Sequence, residues 1–292
     1  MRQRGIEPMG GVQSRRTREF EFTQANFLTL RAMLKDLAGI SLADCKEDMV
    51  YSRISRRLRA LGLKRFGDYC DLLNSGDSSE ITEFCNAMTT NLTAFFRESH
   101  HFDYLRSEIL VPRTRAPRDA RRIRIWSSGC SSGEEAYSIA MTICETVPDR
   151  NGWDIKILAT DVDSQMLAIA KQGSYTHDRL KGVTSHRLAR FFREDVRGED
   201  RVFTIAPEVA ALVTFKPLNL MHNWPMNGPF DAILCRNVMI YFGKDTQRQV
   251  FARMARLQRE DDLLFLGHSE TLFKVSTDYT LIGKTVYRRT AT

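Results

Sequence analysis

Between residues 23 and 110, apolar positions recur every three or four residues and β-branched alternation is sparse, which is the period of helices with one buried face. Phe27, Leu30 and Leu34 share one stripe, and Val50, Ile54, Leu58 and Leu61 another. Breaks at Gly62, Gly67 and the run Asn74, Ser75, Gly76, Asp77 cut this stretch into short helices, so a helical domain is expected over 21–98. An Arg- and Pro-rich stretch then reads as a linker, 99–121. Beyond it the rhythm changes: apolar runs at 122–127, 154–160, 211–216, 230–235 and 262–267 alternate with helical segments. That alternation predicts an α/β domain over 122–292, with a mostly parallel sheet and right-handed crossovers. Residues 173–207 are polar, basic and too long for one crossover helix, and read as an inserted subdomain. The first 20 residues hold several arginines with no apolar segment behind them, so they read as a loose basic tail and not as a secretory signal.

Composition narrows the class. At 292 residues the chain exceeds what one core usually organises, and 42% hydrophobic with 27% charged residues is ordinary for a globular protein. The longest apolar candidate for a membrane span, 232–242, is interrupted by Arg236 and Asn237. Six cysteines, at 45, 70, 85, 130, 144 and 235, form no C-x-x-C pair, so reduced thiols of a cytoplasmic protein are expected and no metal site. The net charge of +7 favours an acidic partner without choosing among nucleic acid, lipid and protein.

Candidate chemistry gathers at strand ends. The first strand runs into Trp126-Ser127-Ser128-Gly129-Cys130-Ser131-Ser132-Gly133-Glu134-Glu135, a turn of small residues that lets backbone approach a ligand closely. The second ends at Asp161, placed to accept hydrogen bonds from ribose hydroxyls, or simply to cap the next helix. The turn is neither a full G-x-G-x-x-G nor a phosphate loop, so a nucleoside methyl donor fits better than NAD or ATP. The third and fourth strands end in Asn219 and in Arg236-Asn237, with Tyr241 just beyond. Gly129 to Gly133 also matches the G-x-S-x-G elbow of hydrolases, for which Ser131, Asp231 and His268 have the right chain order. Against that, the motif sits on the first strand, and Asp231 opens a strand where it should close one.

Five ordered strings, Thr89-Thr90-Asn91-Leu92-Thr93-Ala94-Phe95-Phe96-Arg97-Glu98, Gly133-Glu134-Glu135-Ala136-Tyr137-Ser138, Ala159-Thr160-Asp161-Val162-Asp163, Cys235-Arg236-Asn237-Val238-Met239-Ile240-Tyr241-Phe242 and Gly267-His268-Ser269-Glu270, together closely resemble the CheR family of chemotaxis receptor methyltransferases. The resemblance runs from about Phe20 to Tyr287, and the departure of Ala136 from the family's usual Pro leaves the turn intact. It implies an all-α N-terminal domain, a Rossmann-like S-adenosylmethionine domain and an inserted β-subdomain that in some members docks a C-terminal receptor tether. It also implies cofactor contacts at Asn91, Thr93, Arg97, Glu135, Asp161, Asn219, Leu220, Arg236 and Asn237, with Glu134 adjacent.

The implied reaction is methyl transfer from S-adenosylmethionine to a receptor glutamate, leaving S-adenosylhomocysteine and needing no metal. Arg97 and Tyr241 are the residues expected at the reaction centre. On a helical wheel Lys46, Arg53, Arg56 and Arg59 lie beside and behind the buried stripe, while Arg57 falls near its apolar edge. The family places this basic face against the acidic helical domain of the receptor; otherwise it is a solvated surface. No aromatics interleave with it, so nucleic acid is the lesser candidate, and the chain is expected to act as a monomer.

Overall fold

The computed structural model describes residues 18–117, 121–197 and 200–290. Four helices come first: α1 (Gln24–Ala38), α2 (Glu47–Leu61), α3 (Phe66–Asn74) and α4 (Ser78–Met88). Thr23 caps α1 through its hydroxyl, which accepts from the Asn26 amide at 3.2 Å. The apolar stripes meet in one cluster that includes Phe27, Leu30, Val50, Ile54, Leu58 and Phe84. The buried Glu80 carboxylate accepts from Arg57 at 2.6 Å and from the Tyr69 hydroxyl at 2.7 Å, so Arg57 packs inward.

Much of the expected linker is helix. Residues α5 (His100–Tyr104), a π-helical stretch Leu105–Leu110 and α6 (Val111–Thr114) run on continuously, and Phe102, Leu105, Ile109 and Leu110 are buried in the second domain's core. Their spacing repeats at three, four and one residues and continues the helical period read over 23–110; only 111–114, with Pro112, departs from that reading. Of the tail expected over 1–20, residues 1–17 lie outside the described residues, but Arg18 pairs with Glu47 and Asp48, and Phe20 meets the Phe66 ring edge-on.

The α/β part follows as β1 (Arg122–Ser127), α7 (Glu134–Thr146), β2 (Asp154–Asp161) and α8 (Ser164–Gln172). An insert then brings β3 (Ser174–Thr176), α9 (Ser185–Phe191), β4 (Phe192–Arg197) and β5 (Asp200–Ile205), after which α10 (Pro207–Ala210) leads into β6 (Val213–Pro217). The chain continues through β7 (Ala232–Cys235), α11 (Lys244–Arg256), β8 (Leu263–Leu266), β9 (Tyr279–Gly283) and β10 (Val286–Arg289). Seven strands form the main sheet in the order β6-β2-β1-β7-β8-β10-β9, and the insert is a separate antiparallel sheet ordered β3-β5-β4. The first five of the main sheet are parallel; the closing pair, β9 and β10, is antiparallel and was not expected from the sequence. Strand order reverses between β1 and β7, so the chain leaves a crevice at their carboxyl ends. Among the described residues no helix is long and apolar enough to cross a membrane.

The two parts are knitted together at that edge. Thr89 and Asn91 donate to Asp163 at 2.6 and 2.7 Å, Asn86 exchanges hydrogen bonds with Ser164, and Ile40 bridges Phe242. On the other side Phe95 packs edge-on against Tyr175 and Phe192 of the insert. There Gly182 passes so close to the Phe95 carbonyl that a Cβ would sit 2.0 Å from its oxygen. Gly182→Ala is therefore expected to lower stability by about 1–3 kcal/mol, the usual cost of overpacking. Urea unfolding measures it, and an unchanged midpoint would show that the backbone gives way freely.

Candidate active site

A cavity of about 470 Å³ opens at the carboxyl edge of the main sheet, between the β1/β7 reversal and the helical layer. Its floor is the turn after β1. There the backbone can reach the β7 side only because residue 129 is glycine: a Cβ would lie 2.4 Å from Val238. The turn is held from beneath by Asp161 at the end of β2, whose carboxylate accepts the Ser131 amide at 2.7 Å and the Asp163 amide at 2.9 Å. Burial pushes the Asp161 carboxyl above its ordinary range, and those amide donors oppose the rise. Each oxygen retains a further lone pair.

Glu135, in the first turn of α7, is the second carboxylate on the wall. It accepts the Ser127 hydroxyl at 2.7 Å and Arg236 at 3.0 Å. Burial raises its pKa, while the Arg236 guanidinium works the other way. Arg236 itself is buried and committed to the protein: besides Glu135 it donates to the Arg97 carbonyl and lies 3.5 Å from Glu98. Glu98 in turn accepts His268 at 2.9 Å, linking the loop after α4 to the loop after β8.

The remaining sequence candidates divide. Asn91, Thr93, Arg97, Asn219, Leu220, Asn237 and Tyr241 all line the cavity. Arg97 is half-buried, aimed by a 2.7 Å bond from its guanidinium to the Leu92 carbonyl. The Asn219 side chain is occupied, donating to the Leu37 carbonyl and accepting the Met221 amide. Glu134 is absent from the cavity wall. It points the other way, where Ser132 donates to it at 2.8 Å and Arg179 of the insert pairs with it, because adjacent positions at the start of a helix diverge by about 100°. The four expected basic residues of the receptor-facing set also differ in disposition. Lys46 is exposed and lines the cavity, and Arg56 is exposed; Arg59 pairs with Glu19, while Arg53 turns in to donate to the carbonyls of Met88 and Thr89 at 2.8 and 2.6 Å. Unpaired carbonyls at the end of α4 attract the guanidinium, which removes Arg53 from the open face.

The hydrolase alternative fails on geometry. Ser131 lies at the carboxyl edge, whereas Asp231 precedes β7 at the opposite edge, bonded to Arg113 and to the Arg124 amide, and His268 is engaged by Glu98. Ser131 instead lines the cavity with a buried hydroxyl that bonds to no described residue. The residue that sequence reasoning missed is Glu270. Buried below the loop after β7, its carboxylate accepts four amides, those of Asn237, Val238, Met239 and Gly267, at 2.6 to 2.9 Å. It fixes Asn237 at φ +59° and the turn that carries Tyr241. The string Gly267-His268-Ser269-Glu270 was visible, but nothing in it says where a carboxylate finds four donors.

Residues 91–288 match the family model described as CheR methyltransferase, SAM binding domain, and residues 25–89 match the one described as CheR methyltransferase, all-alpha domain. The chain is 43% identical over 274 residues to the chemotaxis protein methyltransferase of Escherichia coli (strain K12), covering 93% of each protein. It is 42% identical to chemotaxis protein methyltransferase 2 of Pseudomonas aeruginosa, over 92% of this chain and 94% of that one. The probable chemotaxis protein methyltransferase of Rhizobium etli shares 42% identity, over 88% of this chain and 97% of its own length.

Removing Arg236 leaves Glu135 buried with its charge uncompensated and frees the Arg97 carbonyl. Arg236→Ala is thus expected to cost about 3–5 kcal/mol of folding stability. Chemical denaturation gives the value, and a loss below about 1 kcal/mol would show that water replaces the guanidinium.

Proposed function

The chain belongs to the CheR methyltransferase family, and on that premise we propose that the cavity binds S-adenosylmethionine and passes its methyl group to glutamate side chains of chemotaxis receptors. The observation that carries this reading is the pair of buried carboxylates, Glu135 and Asp161, in one largely apolar cavity at the strand-order reversal. The residues fit a cationic nucleoside without phosphates. Asp161 has lone pairs left for two ribose hydroxyls, Glu135 supplies negative charge opposite a cationic group, and Gly129 lets the backbone come close. A phosphate ligand would meet two carboxylates instead of the amide nest it needs.

Bound S-adenosylmethionine supplies a methyl on a cationic sulfur; a glutamate oxygen bonds to that carbon, the carbon–sulfur pair stays on sulfur, and a methyl ester and S-adenosylhomocysteine result. A glutamate with an ordinary pKa of about 4.3 is already ionised at neutral pH, so the protein need not supply a base. Its contribution is alignment and exclusion of water, which orientation makes worth several kcal/mol. Arg97, at the wall and fixed through the Leu92 carbonyl, is suited to hold a carboxylate of donor or acceptor. Tyr241 also lines the cavity, on a turn pinned twice, by Glu270 beneath and by the Ser41 amide bonded to its own carbonyl at 2.8 Å.

Of the expected set, Lys46 and Arg56 are exposed without an acidic partner among the described residues and suit an acidic receptor helix, where complementary charge steers encounter and register. The same reading carries a helical recognition domain over 21–98, a catalytic domain beyond it and a monomeric enzyme working in the cytoplasm. The inserted sheet, bounded by β4, is the surface available to a receptor's C-terminal tether.

Incubation with methyl-labelled S-adenosylmethionine and receptor membranes is expected to label the receptor and to release methanol in base, the signature of a carboxyl ester. Label on RNA, or a base-stable product, would overturn the proposal. Arg97→Ala is expected to keep the fold, followed by circular dichroism, while abolishing transfer; near-normal turnover would take Arg97 out of the site. For Asp161→Ala, calorimetry is expected to show cofactor binding weaker by about 1–3 kcal/mol, and unchanged affinity would rule out the ribose contact.

A further inference from the structure

Glu98, the second carboxylate beside Arg236, stands among three imidazoles. His268 Nδ1 lies 2.9 Å from its Oε1, His101 Nδ1 lies 3.6 Å from its Oε2, and the His100 ring sits against that of His101 with centroids 4.2 Å apart. Glu98, His100 and His101 each offer one ligand atom, and these atoms all fall within 4.8 Å of one another. None of the three lines the cavity described above, so the cluster is a separate place on the molecule, joined to the cavity wall only through Arg236.

Hydrogen bonds decide which atoms of the cluster are left over. Nε2 of His100 and Nε2 of His101 each lie 3.2 Å from the Lys284 carbonyl. A carbonyl only accepts, so each ring donates from Nε2 and, when neutral, keeps a lone pair on Nδ1. Burial pushes the His101 imidazole down to about 3, with the Arg236 guanidinium adding to the effect, so that ring is neutral at neutral pH. The His101 side chain is fully buried, yet its Nδ1 hydrogen-bonds to no described residue, and neither does Glu98 Oε2 beside it. The Arg236 nitrogen nearest Oε2, at 3.5 Å, is given to the Arg97 carbonyl. Two buried lone pairs therefore face each other with no proton between them, an arrangement that a shared cation relieves. The surroundings are those of a metal ligand set: each imidazole donates its other nitrogen to a backbone carbonyl, and His268 holds the carboxylate's other oxygen. The 3.6 Å between Nδ1 and Oε2 is close to the ~3.4 Å edge of a tetrahedron around zinc, and His100, half-buried, has the remaining distance to close by turning its ring. Two imidazoles and one carboxylate suit zinc, cobalt or nickel better than magnesium or calcium.

We propose that Glu98, His100 and His101 bind a divalent transition-metal ion of the zinc class, and that the ion opposes cofactor binding by taking Glu98 from Arg236. The metal site stands on its own, whereas its effect on the cofactor rests on the reading of the cavity given above. Deprived of Glu98, Arg236 is left to draw on Glu135, the carboxylate that faces the cationic donor in that reading, and the ion adds positive charge behind the same wall. The metal takes no part in methyl transfer. Because such coupling is reciprocal, bound cofactor weakens the metal by the factor that the metal weakens the cofactor.

Calorimetry of the full chain, free of any affinity tag, against zinc chloride is expected to show binding of a single equivalent that magnesium chloride does not give, and cobalt(II) in its place is expected to show the visible bands of tetrahedral coordination. His100→Gln is expected to keep the fold by circular dichroism and the cofactor affinity measured without metal, while lowering zinc affinity at least about tenfold; Glu98→Gln is expected to lower it likewise. Cys45→Ser, which removes the exposed thiol, is expected to leave zinc binding as it was. Saturating zinc is expected to weaken S-adenosylmethionine binding about fivefold in wild type and not in His100→Gln. Absence of zinc binding, full zinc affinity in a folded His100→Gln, or its loss in Cys45→Ser would each overturn the site. Zinc that binds there and leaves cofactor affinity unchanged would overturn the coupling. If S-adenosylmethionine binds neither with zinc nor without it, the methyl-transfer reading falls, and the zinc titration still decides the site.

Discussion

A guanidinium taken out of water must be surrounded by anions and carbonyls, and at the carboxyl edge of this sheet that requirement organises everything nearby. Arg236, at the end of β7, draws Glu135 from α7, the Arg97 carbonyl and Glu98 from the loop after α4, and the Phe102 ring from α5 into one cluster. Three parts of the chain thereby converge on one charge carried by a fourth. On the cavity wall, burial raises the pKa of Glu135 and the Arg236 guanidinium opposes that rise. The loop bearing Arg97 is held against the sheet by a bond to its own backbone, which leaves the Arg97 side chain to face the cavity.

The same logic of buried charge met by fixed donors recurs around the cavity. Asp161 holds the turn after β1 through the Ser131 amide, Asp163 holds the loop from Thr89 to Asn91, and Glu270 gathers four amides under the loop after β7. Three carboxylates thus immobilise three loops, each by hydrogen bonds to a charged acceptor, which are stronger than neutral ones. Rigid walls matter for a reaction that uses no proton relay, because orientation supplies the acceleration. If the cavity holds the donor as proposed, stability and function draw on the same contacts here.

The helical layer is the other half of the cavity and not a separate attachment. Its link to the sheet runs through Ile40 and Phe242, Asn219 and Leu37, and the Asn86–Ser164 exchange, so the surface that would meet an acceptor helix is continuous with the wall that would hold the donor. Lys46, at the start of α2, belongs to both. A basic helix tied down in this way can bring an acidic partner to the mouth in a defined register.

Periodicity by itself determined the order of helical and α/β parts, the five parallel strands to within a few residues, and the strand ends where the candidate residues gather, because a buried face repeats at a fixed spacing and a ligand crevice needs small residues after a strand. It failed at β9 and β10, a short hairpin joined antiparallel to β8 through β10, and over 111–114, where a proline and arginines concealed a turn of helix. Only the folded chain decided that Glu134 faces Arg179 while Glu135 faces the cavity, that Arg53 caps α4, and that Glu270 holds the Tyr241 turn. Residue type and spacing fix which chemistry a segment carries; which way a charged side chain turns depends on the donors and acceptors that distant segments bring to it.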